Sequence, residues 1–191
     1  MNPNNSAAIE AEVLKKIHEA TSAVLPWFDT DPEMMDWLPQ GGGWSISEIL
    51  AHITLTSHYL LILIKKGEAK ALKAKDRREQ PPLPDTYELI PEKLAEAGLF
   101  QAFAWHRPEH MDPRTHAPEW PIRQRFFEQM HICEETLRQL EGGWGTAVRT
   151  TMTVNEIGKL DVYQYIVFLC NHATRHVMQM ESVREQFNRA R

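Results

Sequence analysis

The spacing of apolar side chains predicts four long helices. From about Ser6 to Leu25, the stripe Ile9, Val13, Ile17, Ala20 and Val24 recurs at steps of three and four, and Pro26 helps to end the run. A second helix opens at Ser45 and runs to about Lys66 on Ile46, Ile49, Ile53, Thr56, Leu60 and Leu63, with Gly67 as its C-terminal stop. The third spans about Pro121 to Leu140 and ends at Gly142-Gly143. The fourth runs from about Asp161 to Phe187. Ala147 to Val154 predicts one short extended piece, but no stretch alternates long enough to argue for a sheet. Ser45-x-x-Glu48 and Asp161-x-x-Gln164 are capping boxes, and Leu160 can staple onto Tyr165.

Roughly twenty residues join helices one and two, and again helices three and four. Between helices two and three lies a much longer, proline-rich segment from about Glu68 to Trp120, with a short helix predicted at Pro91 to Ala97. A connection beyond ~15 residues inside a compact domain is usually functional or contains small elements of its own. It also allows helices two and three to run parallel, as in bundles with one overhand connection. The expected fold is therefore all-α: one domain over residues 1–191, a four-helix bundle with its crossover at about 67–120. The charge run Lys70 to Glu79 is expected to be a solvated helix extension.

Composition narrows the function classes. A chain of 191 residues with 42% hydrophobic content can build a core, and a net charge of −5 argues against a nucleic-acid-binding surface. The first residues lack a charged-then-apolar leader. The longest unbroken apolar stretch, Tyr59 to Ile64, is far short of the ~20 residues that span a bilayer. Cys133 and Cys170 have no paired spacing, so a reduced, cytoplasmic setting is expected.

Chemistry enters with His172 and His176. A four-residue step returns to the same helix face, so both imidazoles can aim at one point. Both lie in the apolar stripe of Ile166, Leu169, Met180, Val183 and Phe187, where a polar group without a partner costs roughly 1–3 kcal/mol. A metal ion would satisfy both; the alternative is one histidine at the core edge and one in solvent. His52 supplies a third candidate, three residues after Ile49 and four before Thr56 on the second helix's seam. Three neutral imidazoles around a divalent ion leave one or more positions open, an arrangement associated with catalysis.

Gly42-Gly-Trp44-Ser45-Ile-Ser-Glu48-Ile-Leu-Ala-His52 resembles the segment that opens the second helix of DinB/YfiT-like proteins, where W-S-x-x-E-x-x-x-H carries the first metal ligand. His172-x3-His176-x2-Gln179 is similar to that family's H-x3-H-x2-Q in its last bundle helix. The resemblance implies a homodimeric four-helix bundle binding zinc or nickel through His52, His172 and His176. It also implies, for some members, S-transfer or isomerisation with a low-molecular-weight thiol. The expected function is thus a metal-dependent enzyme acting on small molecules, most specifically a thiol-dependent S-transferase. A metal-dependent hydrolase and a non-catalytic, metal-stabilised bundle remain the alternatives. Ala173 stands where a peptidase-type H-E-x-x-H helix has its glutamate, which weakens a peptidase reading.

The other histidines are weaker candidates. His106, His110 and His116 lie among Pro108, Pro113 and Pro118, cannot share a regular helical face, and are expected in a loop. His58 points some 240° round the helix from His52, on about 100° per residue. His18 is expected in solvent, and His131 borders the third helix's seam. Gln179 could orient a ligand or a bound water. Tyr163, Tyr165 and Cys170 are expected to pack, and the tryptophans to clamp connections onto the bundle.

Overall fold

The computed structural model describes residues 3–77, 79, 87–99, 109–116, 118–152 and 154–191, without the side chains of residues 3, 4 and 155. Among these, the chain is mostly helical. Four long helices, α1 (Pro3–Val24), α3 (Ile46–Asp76), α5 (Ile122–Gln139) and α6 (Val162–Ala190), are accompanied by the short α2 (Pro32–Met35) and α4 (Glu92–Glu96). α6 packs on α1 and α3, and α5 covers the other side of both. One core cluster draws on all four, with Ile17, Ile49, Ile53, Phe126, Ile166 and Leu169 fully buried.

Both capping boxes form. Ser45 Oγ accepts from the Glu48 amide, and a Glu48 carboxylate oxygen accepts from the Ser45 amide at 2.9 Å. At α6, Asp161 Oδ1 accepts from the Gln164 amide at 3.0 Å, and Gln164 Oε1 accepts from the Asp161 amide. These interactions replace the helix-end partners that the first amides lack and fix where each helix begins.

Two expectations are corrected. The second helix does not stop at Gly67 but continues to Asp76. Gly67 sits buried inside it, where an added Cβ would stand 2.8 Å from Val162 Cγ2. The residue is glycine because α3 and the start of α6 approach closely there, and packing overrides a cost of about 1 kcal/mol relative to alanine. The extended piece at 147–154 also has a partner. β1 (Arg149–Met152) pairs antiparallel with β2 (Gly158–Asp161) in the register Arg149↔Asp161, Thr151↔Lys159. Four residues per strand are too few to alternate visibly, and Glu156, at φ +52°, and Gly158, at φ +91° where β2 begins, take the left-handed conformation that lets the chain return. The hairpin ends on Asp161, the residue that caps α6, so it sets that helix's entry point.

α3 is long and apolar enough, by length and composition alone, to cross a bilayer, but two-thirds of its most apolar stretch is buried inside the protein. Its apolar surface is occupied by α5 and α6.

Candidate metal centre

His52 on α3 faces His172 and His176 on α6, and the three are 5%, 4% and 5% exposed. His172 Nε2 lies 3.3 Å from His52 Nε2 and 3.2 Å from His176 Nε2. One ligand atom from each ring falls within 4.8 Å of the other two. Nitrogens held 2.0–2.1 Å from one tetrahedral ion would lie ~3.3 Å apart, the spacing seen on two of the three edges.

Hydrogen bonds fix two of the tautomers. His52 Nδ1 is 2.8 Å from the Met111 carbonyl, which can only accept, so Nδ1 carries the proton and Nε2 keeps its lone pair. His176 Nδ1 is 2.8 Å from Gln179 Oε1, with the same consequence. Two lone pairs therefore converge on His172 Nε2, and a single N–H there could serve only one of them well. Charging the rings is no remedy. Burial, then the neighbouring His176, His52 and Arg175, holds the pKa of His172 well below the usual range. Burial, then His52 and Arg175, does the same for His176 against the opposing Gln179 bond. His172 Nδ1 is buried without a hydrogen-bond partner among the described residues. Buried imidazoles aimed at a common point, with protonation of His172 and His176 disfavoured, are a donor set suited to a divalent cation.

The surroundings are built by three segments. Trp44, just before the α3 cap, lays its indole 4.7 Å from the His52 ring and 6.5 Å from His176, walling one side. Met111, in the short turn Glu109–Met111, supplies the carbonyl for His52, and its sulfur sits 3.8 Å from Thr56 Oγ1. That turn is held down by Arg114, which donates from Nη2 to Glu48 Oε2 at 2.8 Å and also to the Gly43 carbonyl. Glu48 thus caps α3 and anchors the crossover, and the Arg114 guanidinium holds its carboxyl below the usual carboxylate range. From α6, Arg175 brings Nη2 to 2.9 Å from His176 Nε2.

The three histidines read from the seams are brought together, and Gln179 orients one of them. The remaining histidines lie elsewhere. His18 is mostly exposed beside Glu134, and His131 is exposed beside Glu135. His58 packs against Trp120, and its pKa is lowered by burial and then by the charge of Arg125. His110 stands 4.4 Å from the Tyr59 ring, and His116 Nδ1 meets Thr115 Oγ1. His106 and Trp105 lie outside the described residues. Burial pushes the Cys133 thiol up to about 12 and Cys170 well above its ordinary value, so neither offers a thiolate.

Sequence reasoning missed Met111, Arg114 and Arg175. Met111 acts through its carbonyl, for which side-chain patterns hold no signal. Arg175 had one: three residues past His172, it shares that histidine's helix face. Comparisons with curated proteins and with solved structures return no match. The family model described as the DinB superfamily matches residues 16–180, from the middle of α1 to Met180 within α6, beyond all three histidines, and the chain belongs to that superfamily.

Proposed function

We propose that His52, His172 and His176 ligate one divalent ion, zinc or nickel, and that the protein is a metal-dependent enzyme that conjugates a small thiol to an electrophile. The bundle around it is read as the superfamily's four-helix arrangement, with the segment between α3 and α5 as its crossover. The observation that carries this reading is the convergence of three buried imidazoles with two lone pairs fixed by hydrogen bonds to Met111 and Gln179. A divalent ion held there supplies Lewis acidity, which lowers the pKa of a thiol or water at an open position.

The chain's own contribution is positioning and exclusion of water. Trp44 and the Glu109–Met111 turn cover His52, so a small molecule meets a largely dry surface. Thiol transfer is favoured over hydrolysis because a water nucleophile profits from a nearby proton acceptor. Among the described residues, the groups bonded to His176 are the Gln179 amide, the Arg175 guanidinium and the ring of His172, whose pKa is held well below the usual range, and none of them readily takes up a proton at neutral pH. A thiol held at the ion would give its proton to solvent without such a base, because its ordinary pKa of about 8.5 lies far below the ~15.7 of water.

Elemental analysis of protein purified without a histidine tag is expected to give about one divalent ion per chain. His52→Ala is expected to lower that occupancy as much as His172→Ala does. The metallated protein is then assayed with common low-molecular-weight thiols against an electrophile panel. Full metal retention by His52→Ala sinks the ligand assignment. Conjugation that survives complete metal removal sinks the enzyme reading.

A further inference from the structure

We infer that Thr56 is a specificity-determining residue of this centre: its hydroxyl donates to the sulfur of a thiolate bound at the open position, and so favours ligating atoms that keep a spare lone pair. The inference rests on the metal-centre reading above and deepens it by naming the residue that recognises the thiol sulfur.

Thr56 lies one turn after His52 on α3 and shares its face toward the triad. It is 5% exposed. A threonine inside a helix ordinarily turns its hydroxyl back to a carbonyl three or four residues earlier. Thr21 does so to Ile17 at 2.7 Å, Thr54 to Ala51 at 2.9 Å and Thr174 to Asn171 at 3.1 Å. Among the described residues, Thr56 instead turns its hydroxyl to His52 Nε2 at 3.5 Å and to Met111 Sδ at 3.8 Å. Since the proton of His52 sits on Nδ1, Nε2 can only accept, and Thr56 is the donor. Both contacts are poor, one long for an O–H donor and the other to a thioether.

A divalent ion bound by the triad takes the Nε2 lone pair, which leaves the buried Thr56 proton with the thioether alone. A buried donor so poorly matched is costly, and a valine in its place would avoid that. The hydroxyl is, however, well placed for a further acceptor. An ion ~2.1 Å from His52 Nε2 would lie no more than ~5.6 Å from Thr56 Oγ1, a gap that one atom bonded to the ion can bridge. A thiol that binds there gives its proton to solvent, and the thiolate sulfur keeps lone pairs beyond the one it shares with the metal. It can therefore accept from Thr56. An imidazole or amine nitrogen spends its single lone pair on the metal and has none for the hydroxyl. Thr56 thus favours sulfur over nitrogen at the open position, by what the ligating atom can still accept.

The test uses the full chain loaded with Co²⁺, whose visible absorption reports its ligand set. Titration of 2-mercaptoethanol or imidazole into the loaded protein gives the affinity for each, and chelator competition gives the affinity for cobalt itself. Thr56→Val is expected to bind cobalt at least as tightly as wild type and to keep its imidazole affinity within about twofold. Its thiol affinity is expected to fall about tenfold, the low end for a hydrogen bond to a charged acceptor. Thr56→Ala, a second removal of the hydroxyl, is expected to show the same pattern, and Thr56→Ser, which keeps the hydroxyl, to recover most of the thiol affinity. Equal thiol affinity in wild type and both hydroxyl-free variants overturns the inference and leaves the metal centre intact. So does an equal loss for thiol and imidazole, which marks a general disturbance of the site. A loss of about tenfold in cobalt affinity with no ligand added also overturns it, because the hydroxyl is then itself a metal ligand. Wild-type protein that takes up cobalt and does not bind the thiol overturns the inference and the thiol-transfer reading together. Failure of wild type to take up cobalt overturns the metal-centre reading itself.

Discussion

Gln179→Leu isolates what one hydrogen bond does for the centre. In the folded chain His176 Nδ1 donates to Gln179 Oε1 at 2.8 Å, which fixes the tautomer and aims the Nε2 lone pair at the triad. Leucine keeps the volume and removes the acceptor. Loss of such an outer partner costs about 10–100-fold in metal affinity, or ~1.4–2.7 kcal/mol. Gln179 is only half-buried, so water can replace part of the bond and the expected loss lies at the lower end, about tenfold. Gln179→Glu keeps an acceptor and is expected to bind metal at least as tightly as wild type. Competition against a chromophoric chelator reads the affinity, and thermal unfolding of the metal-free proteins checks that the fold is unchanged. If Gln179→Leu and wild type agree within twofold while the leucine variant is fully folded, the bond does not organise the ligand set, and the tautomer reasoning fails with it.

Three further outcomes are expected. Gly67→Ala should destabilise the protein by about 1–2 kcal/mol in urea titration: the Cβ, 2.8 Å from Val162 Cγ2, overpacks the α3–α6 contact by more than helix propensity returns, and Val162→Ala should relieve most of the loss. Asp161, 1% exposed, has its pKa raised by burial to about 6, so its protonated form is favoured by folding and its contribution is lost as pH rises from about 4 through about 6. Asp161→Asn, which keeps the cap, should therefore gain ~2–3 kcal/mol relative to wild type between pH 4 and pH 7; a constant difference would refute the shift. Arg114→Ala releases the Glu109–Met111 turn from Glu48 and Gly43 and should weaken metal binding several-fold. Its cost in stability should stay under ~1 kcal/mol, because the ion pair is largely solvated; unchanged chelator competition would show that the turn needs no clip.

The seams were legible because burial makes polarity conspicuous. His52, His172 and His176 stood out as polar residues on faces that otherwise carry isoleucine, leucine and methionine, and the same periodicity located the four long helices. The capping boxes were legible because each is a local exchange between residues three apart. Gly67 misled because a glycine after an apolar run looks like a helix end, whereas here the reason for it lies on another helix, at Val162. The hairpin was half-visible: β2 is four residues long and runs straight into the α6 cap, so its alternation merges with the helix signal.

What stayed hidden shares one cause. His52 Nδ1 meets a backbone carbonyl 59 positions away, and a carbonyl belongs to every residue alike, so no side-chain pattern singles out Met111. The three histidines are consequently supported in unequal ways. His176 is oriented from its own helix by Gln179, His172 has no partner on Nδ1 among the described residues, and His52 depends on the turn within the proline-rich segment. That turn is itself anchored through Arg114 to Glu48, the residue that caps the helix carrying His52. A shift of the turn therefore acts on His52 at two points, its Nδ1 acceptor and the first turn of α3, whereas the α6 histidines keep their geometry. It follows that changes in the Glu109–His116 segment should alter metal affinity through His52 and leave the His172–His176 pair intact, which makes that segment part of the site rather than a tether between helices.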